Sequence, residues 1–341
     1  MKKIMVSLIL VISVRFVFGG PPVALEELSR PAILIVKYDK VYILEKTTIY
    51  IYSLDDFKLI KKFGRAGEGP REFKTNVMGA PMTMSFYDDK LVVNSLNKIS
   101  FITVEGEFIK EIKNPLDVLL LQIKDGYVGT GPVPDESNQY FIGFRLFGRD
   151  FKERNVLYRS DFSVNNPEKI LLPLTTFTYN PVYRDKIYIV SSSTDFIIDV
   201  FRAGGTKEYS IKKDSQKIPV PEGYKKGAHE WFQNDARFKP MYESMIKKII
   251  KFRDYFPPIR DIQVVDDTIH VITYKRKNQL WECILLDLKG NEKSRVFIPL
   301  DHYIPFTYYP ILYSVYKKNI YTMIEDVEEE TWKIHTTEIK Q

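Results

Sequence analysis

Ten residues, Gly64-Arg65-Ala66-Gly67-Glu68-Gly69-Pro70-Arg71-Glu72-Phe73, put three glycines beside two arginines and two acids. Glycines let backbone N–H groups converge on an anion, and Arg65 and Arg71 would add positive charge. The run lacks the strand-to-helix setting and the Lys-Ser/Thr ending of a phosphate loop. It reads first as a tight turn in which Phe73 packs and Glu68, Arg71 and Glu72 pair locally. A third reading sets Arg65, Glu68 and Arg71 against a ligand at a funnel mouth.

Aromatic rings offer a second chemistry. Trp231 precedes Phe232, and Tyr303, Tyr308 and Tyr309 crowd into Tyr303-Ile304-Pro305-Phe306-Thr307-Tyr308-Tyr309-Pro310. Such rings can stack on sugars or contact peptides, because they join apolar area to polar tips. The same rings can serve as loop core.

For catalysis the inventory is thin. His229, His270, His302 and His335 are far apart in sequence, with no Glu-x-x-His or His-x-His pair. No catalytic residue, metal site or cofactor is expected. Asp88-Asp89 and Asp266-Asp267 sit where inter-strand turns belong, a setting Asp favours for its own backbone bonds. Glu328-Glu329-Glu330 reads as a solvated hairpin tip. The single Cys283 excludes an internal disulfide framework and, within Leu280-Trp281-Glu282-Cys283-Ile284, reads as a small buried side chain.

The elements that must carry these residues are strands. The chain has 341 residues, 44% hydrophobic and 14% aromatic, enough for a large core and too long for one simple sandwich. Met1-Lys2-Lys3 and the apolar run Ile4 to Val14 have the form of a secretory signal ending near Gly19-Gly20. Residues 1–20 are therefore expected to be removed, giving a periplasmic or extracellular protein; membrane association would come only through an uncleaved N-terminal segment. Loss of Lys2, Lys3 and Arg15 takes the formal charge from +6 to +3, too mild to indicate nucleic acid.

From Ile33 a unit of four short β-branched or aromatic runs appears, ending at Phe63, and it returns from Met82 to Ile112. Tyr38-Asp39-Lys40-Val41-Tyr42-Ile43 against Asp88-Asp89-Lys90-Leu91-Val92-Val93 is a shift of about 50 residues, the mark of a repeat. Related turn-plus-strand signals start at Lys124, Arg184, Asp266 and Lys317, making six units. Six four-stranded units each leave an edge that radial repetition would cover. The sixth lacks a strand, so Val23 to Leu28 is expected to pair with Trp332 to Thr337 and close the ring.

Gly67-Glu68-Gly69-Pro70-Arg71-Glu72-Phe73 after Ile60-Lys61-Lys62-Phe63, with Asn94-Ser95-Leu96-Asn97-Lys98-Ile99 and Val104-Glu105-Gly106-Glu107-Phe108 in the next unit, resembles the NHL-like six-bladed β-propeller proteins of bacterial envelopes. Arg71 stands where loops of that family often have glycine, and Asn94 where aspartate is common. The resemblance implies an all-β, six-bladed propeller of four-stranded antiparallel blades over residues 21–341.

In such blades, links between blades and loops between second and third strands emerge on one face. Gly64 to Pro81, Gly129 to Gln139, Lys212 to Pro258 and Ile298 to Pro310 would share it. Within the third, Met241, Met245, Ile249 and Phe252 recur at helical spacing, with Lys247, Lys248 and Lys251 on other faces, so a short helical insertion at about 212–258 is expected over the mouth. The expected function is non-catalytic binding of a glycan, peptide or protein by a monomer; the alternative is a propeller hydrolase or lyase with its site in the axial funnel.

Overall fold

The structure is a computed structural model and describes residues 20–69, 71–74, 82–95, 97–116, 118–163, 170–173, 181–236, 238–300 and 311–339. The first nineteen residues, and with them the expected signal, lie outside it.

A short strand, β1 (Val23–Leu25), precedes the first blade of β2 (Ile33–Lys37), β3 (Lys40–Glu45), β4 (Thr48–Ser53) and β5 (Leu59–Phe63). The second blade is β6 (Thr83–Tyr87), β7 (Lys90–Ser95), β8 (Lys98–Thr103) and β9 (Phe108–Lys113). The third is β10 (Leu119–Ile123), β11 (Gly126–Pro134), β12 (Tyr140–Gly148) and β13 (Glu153–Ser163). After β14 (Ile170–Leu172) comes the fourth, β15 (Val182–Tyr183), β16 (Lys186–Val190), β17 (Phe196–Arg202) and β18 (Lys207–Lys213).

An insertion follows, with α1 (Glu222–Asn234), a 3₁₀ turn Lys239–Met241, a π turn Tyr242–Ile246, α2 (Lys247–Ile249) and β19 (Ile250–Phe252). The fifth blade is β20 (Asp261–Val265), β21 (Thr268–Lys277), β22 (Leu280–Asp287) and β23 (Glu292–Ile298). The sixth is β24 (Tyr313–Tyr316), β25 (Asn319–Asp326) and β26 (Thr331–Glu338), completed by β1. The protein is thus an all-β six-bladed propeller with four-stranded antiparallel blades.

Closure follows the sequence expectation. β1 pairs antiparallel with β26, Val23 opposite Ile334 and Leu25 opposite Trp332, while Leu28 is buried in the same cluster. The two ends of the chain therefore share one sheet.

Packing explains the strand composition. Every middle strand is covered on both faces by neighbouring blades, so β3 and β7 bury five consecutive residues each, whereas the outer β5 alternates between half-buried and exposed. Six apolar clusters lie between adjacent blades. One joins Tyr42, Leu44 and Ile51 of the first blade to Met84, Leu91 and Val93 of the second. Another joins Val36 and Ile43 to Met323 and Ile334 across the closure. Each such side chain contributes about 1.5–3 kcal/mol on burial.

The inner strands are tied laterally by polar bonds. Gln263 of β20 donates through Nε2 to the Tyr313 carbonyl at 3.0 Å and accepts through Oε1 from the Val315 N–H at 3.1 Å. Val36 N–H donates to Ser314 Oγ at 2.9 Å. Buried Asn94 donates through Nδ2 to the Leu120 carbonyl, reaching from the second blade to the third. An aspartate there would have no such proton to give.

Turns between first and second strands are tight. Tyr38-Asp39, Arg184-Asp185 and Asp266-Asp267 all have positive φ at both positions, the I′ signature that matches strand twist. One expected loop is shorter than the sequence suggests. Gly129 to Pro134 continues β11, paired residue by residue with β12, leaving only 135–139 as the tip. Glycines and Pro132 masked strand continuity there, because the pairing partner is visible only in three dimensions.

Candidate ligand-binding face

The link after the first blade is built as a turn. Phe73 is 2% exposed and sits in the cluster between blades one and two. Its N–H donates to the Arg65 carbonyl at 2.8 Å, and Gly67 N–H donates back to the Phe73 carbonyl at 3.0 Å. Gly64 has φ +93, and a Cβ there would come within 2.4 Å of the Thr47 carbonyl oxygen. Gly67 would place a Cβ 2.0 Å from a Glu72 carboxylate oxygen. Glycine is therefore dictated at Gly64 by the close approach of the Thr47 backbone and at Gly67 by its φ of +156, since the Glu72 carboxylate could move aside.

The charged residues of this link meet protein groups. Arg65 pairs with Glu72 at 2.7 Å, and Glu72 also accepts from Gly69 N–H at 2.9 Å, which together with Arg65 holds its carboxyl below the usual range. Glu68 pairs with Lys74. Arg71 lies with its guanidinium 5.0 Å from the centre of the Phe108 ring, in left-handed backbone at φ +60. That conformation accounts for the glycine common at this position in the resembling loops.

The insertion after β18 has a core of its own. Ala228 and Phe232 of α1 pack against Tyr242, Ile246, Ile250 and Leu172, with Trp231 and Phe238 alongside. Trp231 meets Phe232 edge to face at 4.8 Å and leans on Phe238 at 5.7 Å. Anchorage to the ring comes from β19, which pairs in parallel with β14. Arg253 adds three bonds: N–H to the Leu172 carbonyl at 2.7 Å, Nε to the Pro173 carbonyl at 3.1 Å and Nη1 to Ser193 Oγ at 3.2 Å.

The expected helical stripe differs from the observed one. Met241 and Met245 are exposed, at 40% and 37%, and Phe252 lies on a strand. The buried residues are Tyr242, Ile246 and Ile250, one position along. A 3₁₀ turn opened by Pro240 and followed by a π turn breaks the 3.6-residue period on which the stripe rested. The longer helix, α1, is the element the stripe missed; its signals are Pro221 at its start, Glu222 in its first turn and Ala228 and Phe232 four apart.

Histidines are dispersed. His229 accepts or donates at Nδ1 with the Tyr242 hydroxyl at 3.1 Å and lies edge-on to Phe252. His270 is 4% exposed, and burial lowers its pKa to about 4. His335 is also lowered by burial, with Lys333 adding to it. Among the described residues no histidine hydrogen-bonds a carboxylate, and no three His, Cys, Asp or Glu side chains gather as a metal site would need. Cys283 is buried and its thiol is pushed up to about 12. Tyr303, Tyr308, Tyr309 and His302 lie outside the described residues.

A polar cluster that sequence reasoning missed sits where β20 and β24 begin. Tyr313 hydroxyl donates to Asp261 Oδ2 at 2.7 Å. Burial raises Asp261 to about 6, opposed by the Tyr313 hydroxyl, the Ile262 N–H and Arg260. Arg260 and Arg276 lie over the Trp281 ring at 4.0 and 4.6 Å, and Phe256 stacks on Tyr274 at 4.4 Å. A carboxyl bound to a phenol can hold or release a proton near neutrality, but the pair contains no activated nucleophile.

Two hollows mark the faces. One of about 510 Å³ in the insertion is lined by Glu222, Gly223, Lys225, Lys226, His229 and Phe252. A larger one of about 660 Å³ lies at turns on the opposite face, lined by Asp125, Arg149, Asp150, Lys152 and Arg154. There the charges face each other, Arg149 to Asp125 at 3.8 Å and Lys152 to Asp150 at 3.9 Å, so the larger hollow is largely self-neutralised.

No family model matches the chain, and no curated protein matches it at a significant score. Among solved structures, the chain is similar to Hsv2 of Kluyvelomyces marxianus, at 10% identity and a TM-score of 0.34, over 90% of this chain and 84% of that one. It is also similar to the Pan2 WD40 domain of Neurospora crassa, at 10% identity and a TM-score of 0.38, over 90% of this chain and 76% of that one. The propeller assignment rests on the six four-stranded sheets themselves.

Proposed function

We propose that this chain is an exported, non-catalytic binding propeller of the NHL-like envelope type, monomeric, which holds a ligand or protein partner on the face carrying the links between blades. The observation that carries the reading is the asymmetry of the two faces. Among the described residues, one face bears the turn 64–69, the hairpin tip 135–139, the short strand β14 and the insertion between β18 and β20; the other is made of tight turns such as 38–39, 184–185 and 266–267. Ordered loops on a rigid scaffold are the usual seat of recognition. Export is supported by the charged start and apolar run of residues 1–14, and kinship by the Gly64–Phe73 run.

A thermal-shift screen of the purified chain against glycans, peptides and divalent metals tests it. Cys283 is buried, so a bulky maleimide can be directed to one introduced thiol. A label on Met241→Cys is expected to abolish the stabilisation given by a hit, and a label on Asp55→Cys, at a turn of the opposite face, to leave it intact. The reverse pattern, or chemical consumption of the hit, would overturn the proposal.

A further inference from the structure

The ring is closed by a short pairing. β1 meets β26 through Val23 with Ile334, Ala24 with Lys333 and Leu25 with Trp332, and its segment buries Leu25 and Leu28. Nothing in those contacts requires the strand to belong to the same chain. A second copy that laid its own Val23–Leu25 on the same β26 would make identical contacts in the sixth blade. A closed monomer and a strand-exchanged dimer of this kind differ in the hinge that joins the closing strand to the rest. The hinge residues therefore decide which form is made.

The hinge runs from Glu26 to Ala32, between β1 and β2, and it is pinned along its length. Leu28 N–H donates to the Leu25 carbonyl at 3.2 Å, folding the chain back directly after β1, and Ala32 N–H donates to the Leu44 carbonyl at 2.8 Å. Between these two anchors lies the Glu45 carboxylate, at the end of β3. Glu45 is 5% exposed and accepts from Arg30 N–H at 2.8 Å, from Ser29 N–H at 3.4 Å and from the Ser29 hydroxyl. Trp332 of the sixth blade donates through Nε1 to the Ser29 carbonyl at 3.2 Å, and the Tyr52 hydroxyl of the first blade donates to Glu27 at 3.3 Å. Opening the hinge into an extended arm would withdraw all three donors from Glu45. A buried carboxylate is a poor general stabiliser, but it is satisfied only where donors converge, so it selects one hinge conformation over others.

We infer that Glu45 is the latch that keeps ring closure within one chain, and that the partner admitted when it is released is a second copy of this chain, exchanging Val23–Leu25 into the sixth blade. Ser29 and Arg30 supply the backbone that the latch holds, and Trp332 carries the hold across to the blade being closed. Glu45 acts here as a positioning residue, sixteen residues from Ser29 in the same chain, so its grip favours the chain's own strand. Strand exchange of this kind is separate from the ligand sought on the link-bearing face and stands or falls without it.

Cys283 is buried, so an introduced pair of thiols can report which chain supplies the closing strand. Ala24→Cys with Lys333→Cys places them on directly opposed residues of the β1–β26 ladder. In a closed chain their disulfide is internal and leaves a monomer on a non-reducing gel; in an exchanged pair it joins two chains. The full chain carrying this pair is unfolded, refolded at about 1 µM to about 0.2 mM, towards the millimolar effective concentration of a strand on a short tether, then oxidised and sized. With Glu45 in place it is expected to stay monomeric throughout. Glu45→Gln keeps the side chain's size but turns one carboxylate oxygen into a donor, and should raise the cross-linked dimer at least tenfold at the highest concentration. Ser29→Ala removes one of the three donors and should give a smaller rise; it carries the test if the glutamine chain does not refold. Ile99→Val, in the core beside the second blade, lowers stability away from the closure and should give no rise. No rise in either latch variant over the chain with Glu45 intact, dimers that form without the 24–333 cross-link, or an equal rise in Ile99→Val would overturn the inference.

Discussion

The ring and the insertion bury comparable kinds of side chain in different ways. In the ring, each apolar cluster is shared by two blades, so Trp332 and Ile334 of the last blade pack with Leu34, Val36 and Ile43 of the first. In the insertion, Phe232, Tyr242, Ile246 and Ile250 pack among themselves and against Leu172 of the link strand β14, while the insertion's ends meet the propeller through the Arg253–Ser193 bond and through Phe256 stacked on Tyr274. Shared clusters couple every blade to its neighbours, whereas a private core lets one region open while the rest stays folded. Such a division places rigidity in the ring and leaves the insertion able to open by itself.

Truncating one aromatic in each region tests that contrast and should give the largest effects. Trp332→Ala removes a ring packed at the closure, whose Nε1 donates to the Ser29 carbonyl at 3.2 Å, and should cost about 3–5 kcal/mol. It should appear as a lower midpoint of the single global unfolding transition in denaturant. Phe232→Ala deletes a similar volume, but its cost should surface as faster amide exchange confined to the segment around α1 and β19, with the global midpoint little moved. Equal shifts of the global transition in both variants would show that ring and insertion unfold as one unit.

The ring was legible in the sequence because its repeat is carried by turns and strands: Asp39, Asp89 and Asp267 each precede a buried second strand. Closure was legible because the sixth unit visibly lacked a strand that Val23–Leu25 supplies. The insertion was not, because period rules fail where a 3₁₀ turn runs into a π turn. Nor was the Asp261–Tyr313 pair, since 52 residues separate the partners and only blade packing brings them to 2.7 Å. For Arg65, Glu68 and Arg71, the candidate ligand contacts of the loop, which of them would find partners inside the loop depended on left-handed geometry at Arg71 that the sequence leaves unspecified.

Two buried titratable groups sharpen the comparison with effects of intermediate size and opposite sign. His270 of the ring is neutral when folded, its pKa lowered by burial to about 4 from an ordinary 6.5. The unfolded chain binds a proton there below 6.5, so stability falls as pH drops from about 6.5 to 4, by ~3 kcal/mol. Asp261, beside the end of the insertion, is raised to about 6 from 3.8. The folded state keeps that proton while the unfolded state releases it, so stability falls as pH rises from about 4 through 6. Over that interval the two trends oppose each other in the native protein. His270→Leu should expose the Asp261 trend and Asp261→Asn the His270 trend, read as the unfolding midpoint against pH. Parallel curves for the two variants would show that neither group is as enclosed as its partners imply.

The smallest effect is expected at the link from the first blade to the second. Arg71 holds φ +60, a conformation that costs a side chain on the order of 1 kcal/mol and glycine nothing. Arg71→Gly removes that strain but also removes the guanidinium from the Phe108 ring and frees the unfolded backbone, each worth about 0.5–1 kcal/mol in the other direction. The sum should lie within about 1 kcal/mol of zero, seen as a melting temperature nearly unchanged. If Arg71 is kept for a ligand, the two readouts separate: binding falls while stability does not. If binding also stays level, the strain at Arg71 serves only its contact with Phe108, and the recognition surface lies wholly on the insertion side of the face.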